Sequence, residues 1–169
     1  MSEDVVQPVV LDATVLSNFA SSGTVDQIVT ILKRPVAVAA VRRELKRGYE
    51  QEYEFLGDAL DHLGDSITVL ESSDRDDDTA SKIRERLDAG EADSLLGAIE
   101  HGGTLATDDL AARRLATEHD VPVTGSIGLL VVGVRRDVVG VETANEWLSD
   151  WREKRGYYAP VDQIEDILD

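Results

Sequence analysis

Short apolar runs alternate along the chain with longer segments in which apolar and polar positions are mixed. The apolar runs lack strict alternation, so we expect strands that are buried on both faces, as in a parallel sheet. The predicted strands are Val9–Leu11, Val36–Val38, Ile67–Leu70, Thr104–Ala106 and Val121–Val123. Because proline cannot donate a ladder hydrogen bond, Pro122 predicts that the last run is an edge strand or begins one.

The segments between these runs have apolar residues at helical spacing. Three amphipathic helices are predicted, from Phe55, Leu56, Ala59, Leu60 and Leu63, from Ile83 and Leu87, and from Ala92, Leu95, Leu96 and Ile99. Gly90 is expected to cap the second of them. The alternation of strand and helix predicts βαβ units around a mainly parallel sheet, and a chain of 169 residues fits one domain.

The chain beyond about residue 141 forms a predicted C-terminal helical segment, outside a core of about 8–136. Ala144, Trp147, Leu148 and Trp151 fall at i, i+3, i+4 and i+7 on one helical face. We expect this face to pack against the chain's own sheet, the alternative being a homodimer or antitoxin surface. Residues 160–169 are expected to form a short docking helix.

Charge is the most unusual bulk property. The 34 Asp and Glu residues against 17 Lys and Arg give a net charge of −17, which by itself argues against a polyanionic partner. The composition resembles that of proteins from salt-loving organisms, in which molar salt shortens the Debye length to about 3 Å. Nucleic acid is therefore not excluded. Local cationic pairs that could contact it, or simply form solvated helix faces, are Arg42-Arg43 with Lys46-Arg47, Arg113-Arg114 and Arg135-Arg136.

The sequence lacks the marks of export. It has no cysteine, no basic and apolar leader, and no apolar stretch approaching the 18 residues of a membrane span, so we expect a cytoplasmic protein without a membrane segment. The acidic stretch 72–79 is interpreted as an exposed loop before a helix, with a carboxylate metal site as the alternative.

Four carboxylates stand out by position. Asp12 and Asp108 each follow a predicted strand, where parallel sheets carry their sites, although both could simply cap helices. Glu44 falls on the inward side of a predicted helix at 41–48. Asp93 lies at the border of the core-facing stripe of the predicted helix that follows Gly90. Glu91 and Asp109 are weaker candidates, because first-turn acids stabilise helix starts.

Together these segments resemble the PIN domain family of metal-dependent ribonucleases. The matching pieces, in order, are VVLDATVL at 9–16, VRREL at 41–45, GEADSL at 90–95, LATDDLAAR at 105–113 and VPVTGSIG at 121–128. The resemblance implies a single three-layer α/β/α domain. Where relatives often carry Asn or Ser two places after the first acid, this chain has Thr14, which keeps the hydroxyl.

The same resemblance implies a site and an activity. Asp12, Glu44, Asp93 and Asp108 would be the catalytic and metal-binding acids, with Thr14 and Asp109 as secondary polar groups. Mg²⁺ or Mn²⁺ would be the cofactor, since both prefer oxygen ligands. The reaction would be phosphodiester hydrolysis leaving a 5′ phosphate and a 3′ hydroxyl, with RNA as the expected substrate and single-stranded DNA as the alternative.

Two roles remain open under this resemblance. The chain could be the toxin of a toxin–antitoxin pair, inhibited by a small antitoxin protein, or a non-catalytic module that binds RNA or a protein partner.

Other chemistries fit the sequence poorly. No phosphate-binding Gly-Lys-Ser/Thr loop, Gly-x-Ser-x-Gly elbow or cysteine nucleophile is present. A phosphatase using Asp12 as nucleophile would have a second acid at the position of Thr14.

Overall fold

The fold is built on a five-stranded, all-parallel sheet, seen in a computed structural model that describes residues 5–168. Its strand order is β3-β2-β1-β4-β5. The strands are β1 (Val9–Leu11), β2 (Pro35–Val38), β3 (Thr68–Leu70), β4 (Thr104–Ala106) and β5 (Val123–Thr124).

Helices connect the strands and cover both faces of the sheet, which confirms the predicted three-layer α/β/α architecture. A 3₁₀ turn at Glu54–Leu56 precedes α4. The helices are α1 (Ala13–Ser21), α2 (Val25–Ile31), α3 (Ala39–Glu50), α4 (Gly57–His62), α5 (Asp78–Arg86), α6 (Ala89–His101), α7 (Leu110–Glu118), α8 (Ser126–Arg135), α9 (Val141–Arg155) and α10 (Glu165–Leu168).

The strand order changes direction at β1. The chain passes from β1 to β2 and β3 on one side, and then returns to place β4 and β5 on the other. Val9 therefore pairs with both Pro35 and Thr104. In open parallel sheets, ligands bind beyond the carboxyl ends of the strands at such a switch. Here that point lies just after Leu11 and Ala106.

Every predicted strand is present, but the expected burial on both faces holds only for β1, β2 and β4. Thr68 in β3 is exposed and both residues of β5 are half-buried, because these two strands form the edges of the sheet. Pro122 directly precedes β5, which confirms its predicted place at an edge or strand start.

The predicted role of Gly90 is wrong. Helix α5 ends at Arg86, and Gly90 lies in the first turn of α6. Asp88 caps α6, because its Oδ1 accepts a hydrogen bond from the backbone N–H of Glu91 at 3.0 Å. A Cβ atom at Gly90 would stand 3.1 Å from Oε1 of Glu44, so the glycine lets α6 approach α3 closely.

The C-terminal segment packs within the chain, but mainly against helices α1 and α8 rather than against the sheet, which was the expectation. Ala144, Leu148 and Trp151 on α9 are fully buried. The indole N–H of Trp151 donates to Oγ of Ser22 at 3.0 Å, and its ring lies 5.0 Å from that of Phe19. Helix α9 is thereby fixed against α1.

Two further expectations concern the surface. Residues 71–77 form an irregular, mostly exposed segment before α5, where Asp77 caps the helix by accepting from the N–H of Ala80. No helix within residues 5–168 has the length and apolar character that crossing a membrane requires.

Candidate functional site

Asp12 is the best-buried carboxylate at the switch in strand order. It follows β1 at the cap position of α1 but makes no capping hydrogen bond, and it is only 2% exposed. Its Oδ2 accepts hydrogen bonds from Oγ1 of Thr14 at 3.1 Å and Oγ1 of Thr107 at 2.8 Å. Burial raises the pKa of Asp12, although these hydroxyls oppose the change. Capping therefore does not explain this acid.

The two threonines join Asp12 to the end of β4. Thr14 Oγ1 also accepts from the backbone N–H of Asp108 at 3.0 Å, and Thr107 Oγ1 accepts from that of Asp109 at 3.1 Å. Each hydroxyl therefore has its own proton left for Asp12. Thr14 thus takes the secondary polar position expected from the sequence, whereas Thr107 was not identified there.

Asp108 faces the start of α8 rather than the helix that follows it. Its Oδ1 accepts from the backbone N–H of Ser126 at 2.8 Å, and its Oδ2 accepts from Ser126 Oγ at 2.5 Å and from Asn18 Nδ2 at 3.1 Å. Asp109, in contrast, caps α7 by accepting from the N–H of Ala112 at 2.9 Å. Asp109 therefore stabilises the start of a helix, which the sequence analysis gave as the alternative to a role in the site.

Glu44 projects from α3 toward the same region and is half-buried. Burial raises its pKa most, and the charges of Asp12 and Asp88 raise it further, while Arg47 opposes them. The effect of Asp12 on Glu44 shows that the two carboxylates share one electrostatic environment.

The start of α6 adds two acids: Asp88, which was not identified from the sequence, and Glu91, which was only a weaker candidate there. Burial, a hydrogen bond with Asp88 and the charges of Asp88, Asp109 and Asp12 raise the pKa of Glu91 to about 8. Asp88 also raises the pKa of Asp12. We call Asp12, Glu44, Asp88 and Glu91 the acidic cluster.

The predicted site residues are thus only partly brought together. Asp12 and Glu44 belong to the acidic cluster, and Asp108 is linked to it through Thr14. Asp93 is half-buried on α6 and forms no hydrogen bond or ion pair with any of residues 5–168. Its half-buried position on α6 agrees with the expected border of the core-facing stripe.

The donor chemistry of the acidic cluster fits a hard divalent cation. All its side-chain donors are carboxylate oxygens, the ligands that Mg²⁺ and Mn²⁺ prefer. Within residues 5–168 no Lys or Arg forms an ion pair with Asp12, Glu44 or Glu91, although the charge of Arg47 acts on Glu44. In the same part of the chain, no three acidic or histidine side chains converge closely enough to form a complete ligand set.

Two polar residues at the site, Asn18 and Ser126, were also missed as functional candidates. Both are buried, at 5% and 0% exposure. Asn18 Nδ2 donates to Ser126 Oγ at 3.0 Å as well as to Asp108. A polar residue on the core-facing side of an amphipathic helix is the sequence signal that could have identified Asn18.

Comparison with known proteins agrees with this geometry. No curated protein matches the chain. A family model described as a PIN domain matches residues 8–169, which is nearly the whole chain. This chain belongs to the PIN domain family.

Proposed function

We propose that this protein is a divalent-metal-dependent endonuclease that hydrolyses phosphodiester bonds in RNA. Membership of the PIN domain family points to a nuclease-type function. The observation that carries the proposal is the buried carboxylate of Asp12, which has two hydroxyl donors but no cationic partner among residues 5–168. Buried carboxylates without cations are costly, and such a cost is usually retained where a function needs it.

The residues proposed to hold Mg²⁺ or Mn²⁺ are Asp12, Glu44, Asp93 and Asp108. Glu91 is a further candidate, because the charge of Asp12 is among the causes that raise its pKa. A bound ion would acidify a coordinated water and neutralise charge on the reacting phosphate. Thr14 and Thr107 would orient Asp12, and Asn18 and Ser126 would orient Asp108. The expected products carry a 5′ phosphate and a 3′ hydroxyl.

A cationic surface beside the site supports a nucleic-acid substrate. Arg42, Arg43, Lys46 and Arg47 lie on α3, the helix of Glu44, and none forms an ion pair with residues 5–168. A depression of about 460 Å³ is lined by Arg42, Arg43, Lys46, Tyr49, Glu50 and Leu60. Tyr49 is 46% exposed, so it offers a ring on which a base can stack. A group of four cations on one helix, in a chain of net charge −17, suits a phosphate backbone.

The first test is cleavage of mixed RNA and single-stranded DNA at molar KCl with Mg²⁺, Mn²⁺ or EDTA. Asp12→Asn should abolish metal-dependent cutting, and Asp93→Asn compared with Glu91→Gln separates the two candidate acids on α6. Asp61→Asn, an exposed acid on α4, is the matched control and should cut like wild type. No cleavage of any substrate with either metal would refute the nuclease proposal.

We further propose that the nuclease acts as the toxin of a toxin–antitoxin pair. Expression should then arrest growth, an Asp12→Asn variant should not, and a small adjacent gene should relieve the arrest. The buried side of α9 already packs against the chain itself. An antitoxin or a second copy would therefore bind another surface.

The second candidate is a non-catalytic PIN module that binds RNA or a protein. The observation favouring it is that no three acidic or histidine side chains converge to hold a metal within residues 5–168. RNA binding that persists in EDTA, without cleavage in either metal, would select this reading.

A further inference from the structure

We propose that Arg155, the last residue of α9, binds a substrate phosphate beside Asp108. The proposal rests on the proposed nuclease function. It would make the C-terminal segment part of the active site rather than only a helix that packs against the rest of the fold.

A chain of hydrogen bonds connects Arg155 to the site. Its Nε donates to Oδ1 of Asn18 at 2.8 Å, and Asn18 Nδ2 in turn donates to Asp108 Oδ2 at 3.1 Å and to Ser126 Oγ at 3.0 Å. The oxygen and the nitrogen of the Asn18 side-chain amide therefore both form hydrogen bonds, which fixes the orientation of the amide. The guanidinium group is therefore one side chain away from the carboxylate that follows β4.

The guanidinium group retains donors for a ligand. Arginine has five N–H donors, and within residues 5–168 only Nε of Arg155 forms a hydrogen bond. Its Cζ lies 5.2 Å from the centre of the Phe55 ring, a cation–π contact that restrains the group. Arg155 is exposed at the surface, so the remaining donors are accessible from solvent.

The end of helix α9 that carries Arg155 is anchored to the rest of the fold. Trp151 lies one turn before Arg155 on the same helical face. It contacts Phe19 of α1, the helix that carries Asn18, and Ser22, which directly follows α1. Gly156 then ends α9 in a left-handed conformation, with φ of 64°. Tyr157 packs against Trp151 at 5.8 Å, so the chain on both sides of Arg155 is held in place.

The chemistry of the site calls for a cation at this position. A phosphodiester approaching the acidic cluster and Asp108 meets carboxylates on several elements. Arginine suits the task because its planar fork matches two phosphate oxygens. The nearby Arg113 is partly committed, since its Nη1 donates to the carbonyl oxygen of Thr107 at 2.9 Å.

The test compares Arg155→Ala and Arg155→Lys with Lys154→Ala in cleavage of a single-stranded RNA with Mn²⁺. Lys154 is the matched control: it carries the same charge one residue earlier on α9, where it is exposed and paired with Asp150 at 3.7 Å. Loss of a charge-assisted phosphate contact should raise KM about tenfold or more in Arg155→Ala. Arg155→Lys should lie between wild type and alanine, and Lys154→Ala should stay within about twofold of wild type.

Two measurements separate phosphate binding from a purely structural role. The slope of log KM against log salt should fall by about 0.7 in Arg155→Ala, the value expected for one phosphate contact on a single strand. The rise in melting temperature on adding Mn²⁺ should match that of wild type, because Arg155 does not belong to the acidic cluster. A matched rise also shows that the variant is folded.

The outcomes are distinct. An active wild type with equal KM in Arg155→Ala and Lys154→Ala would overturn the assignment and leave the nuclease proposal intact. A lower kcat with unchanged KM and salt slope would mean that Arg155 only positions Asn18, which also overturns it. Wild-type protein that cuts nothing would instead refute the underlying function.

Discussion

The substitution Asp12→Asn should stabilise the fold when metal is absent. When metal is added, the variant should instead be less stable than wild type. Burial raises the pKa of Asp12 in the folded chain. A raised carboxyl pKa stabilises the fold below the unfolded value, near 3.8, and this contribution is lost as pH rises through the folded value. At pH 8, which is above the unfolded value, the raised pKa of Asp12 therefore opposes folding, and Asp12→Asn should remove that cost. The asparagine oxygen can still accept from Thr14 and Thr107.

The size of the effect follows from the burial and from mass action. Without metal, relief of a buried charge that lacks a cationic partner should stabilise Asp12→Asn by about 1–2 kcal/mol, or roughly 2–8 °C for a chain of this length. With Mn²⁺ at 100 times its Kd, wild type should gain about 2.7 kcal/mol, or roughly 5–11 °C. The variant lacks a central ligand and should gain little. Metal should therefore reverse the order of the two melting temperatures.

Thermal unfolding followed by circular dichroism at pH 8, in EDTA and in Mn²⁺, measures this directly. Asp61→Asn is the control and should behave like wild type under both conditions. A wild type that is clearly more stable than Asp12→Asn in EDTA would refute the reasoning about the buried charge. An equal rise with Mn²⁺ in both proteins would refute Asp12 as a metal ligand.

Three further predictions test other parts of the site. The pKa of Glu91 is raised to about 8, so its protonated carboxyl stabilises the fold at low pH. In EDTA this contribution to the free energy of unfolding should be lost as pH rises from about 4.5 to about 8. The loss should be no more than about 1 kcal/mol, because solvent screens this partly exposed group. In urea unfolding, Glu91→Gln should lose less stability over this pH range than wild type, and an equal loss in the two proteins would contradict this. Gly125→Ala would place a Cβ atom 2.6 Å from Asp108 Oδ1 and 2.9 Å from Arg113 Nη1, so it should cost about 1–3 kcal/mol and reduce cleavage by at least about tenfold. Cleavage at the wild-type rate would show that Asp108 tolerates displacement. Trp151→Ala removes a fully buried ring and should destabilise the chain by about 3–5 kcal/mol in chemical denaturation. A loss below about 1 kcal/mol would contradict the tight packing of α9.

The fold was predictable because its signals are local. Each strand is a short apolar run, and several helices show amphipathic spacing, so Val9–Leu11 and Ala92 to Ile99 were identified from neighbouring residues alone. The edge strands were less predictable, since exposure of β3 depends on which strand lies beside it. Gly90 was misassigned because a helix start and a helix end can both accommodate glycine.

The site was predictable only where acids follow strands. Asp12 and Asp108 occupy the ends of β1 and β4, as the parallel sheet requires. The involvement of Glu91 depends on how the first turn of α6 meets Asp88, Asp109 and Asp12, which helical phase does not reveal. Asn18 reaches Ser126 across 108 positions and Arg155 across 137, and no local pattern encodes such contacts.

The placement of β1 beside β4 has a consequence for synthesis on the ribosome. Leu11 pairs with Ala106, so the centre of the sheet cannot close until nearly two thirds of the chain has been made. Contacts of such long sequence separation slow folding, since the intervening loop must be closed first. A nascent chain that already contains Asp12 and Glu44 still lacks Thr107 and Asp108. If the protein cuts RNA, this order of assembly would keep the unfinished chain harmless to the ribosome that produces it.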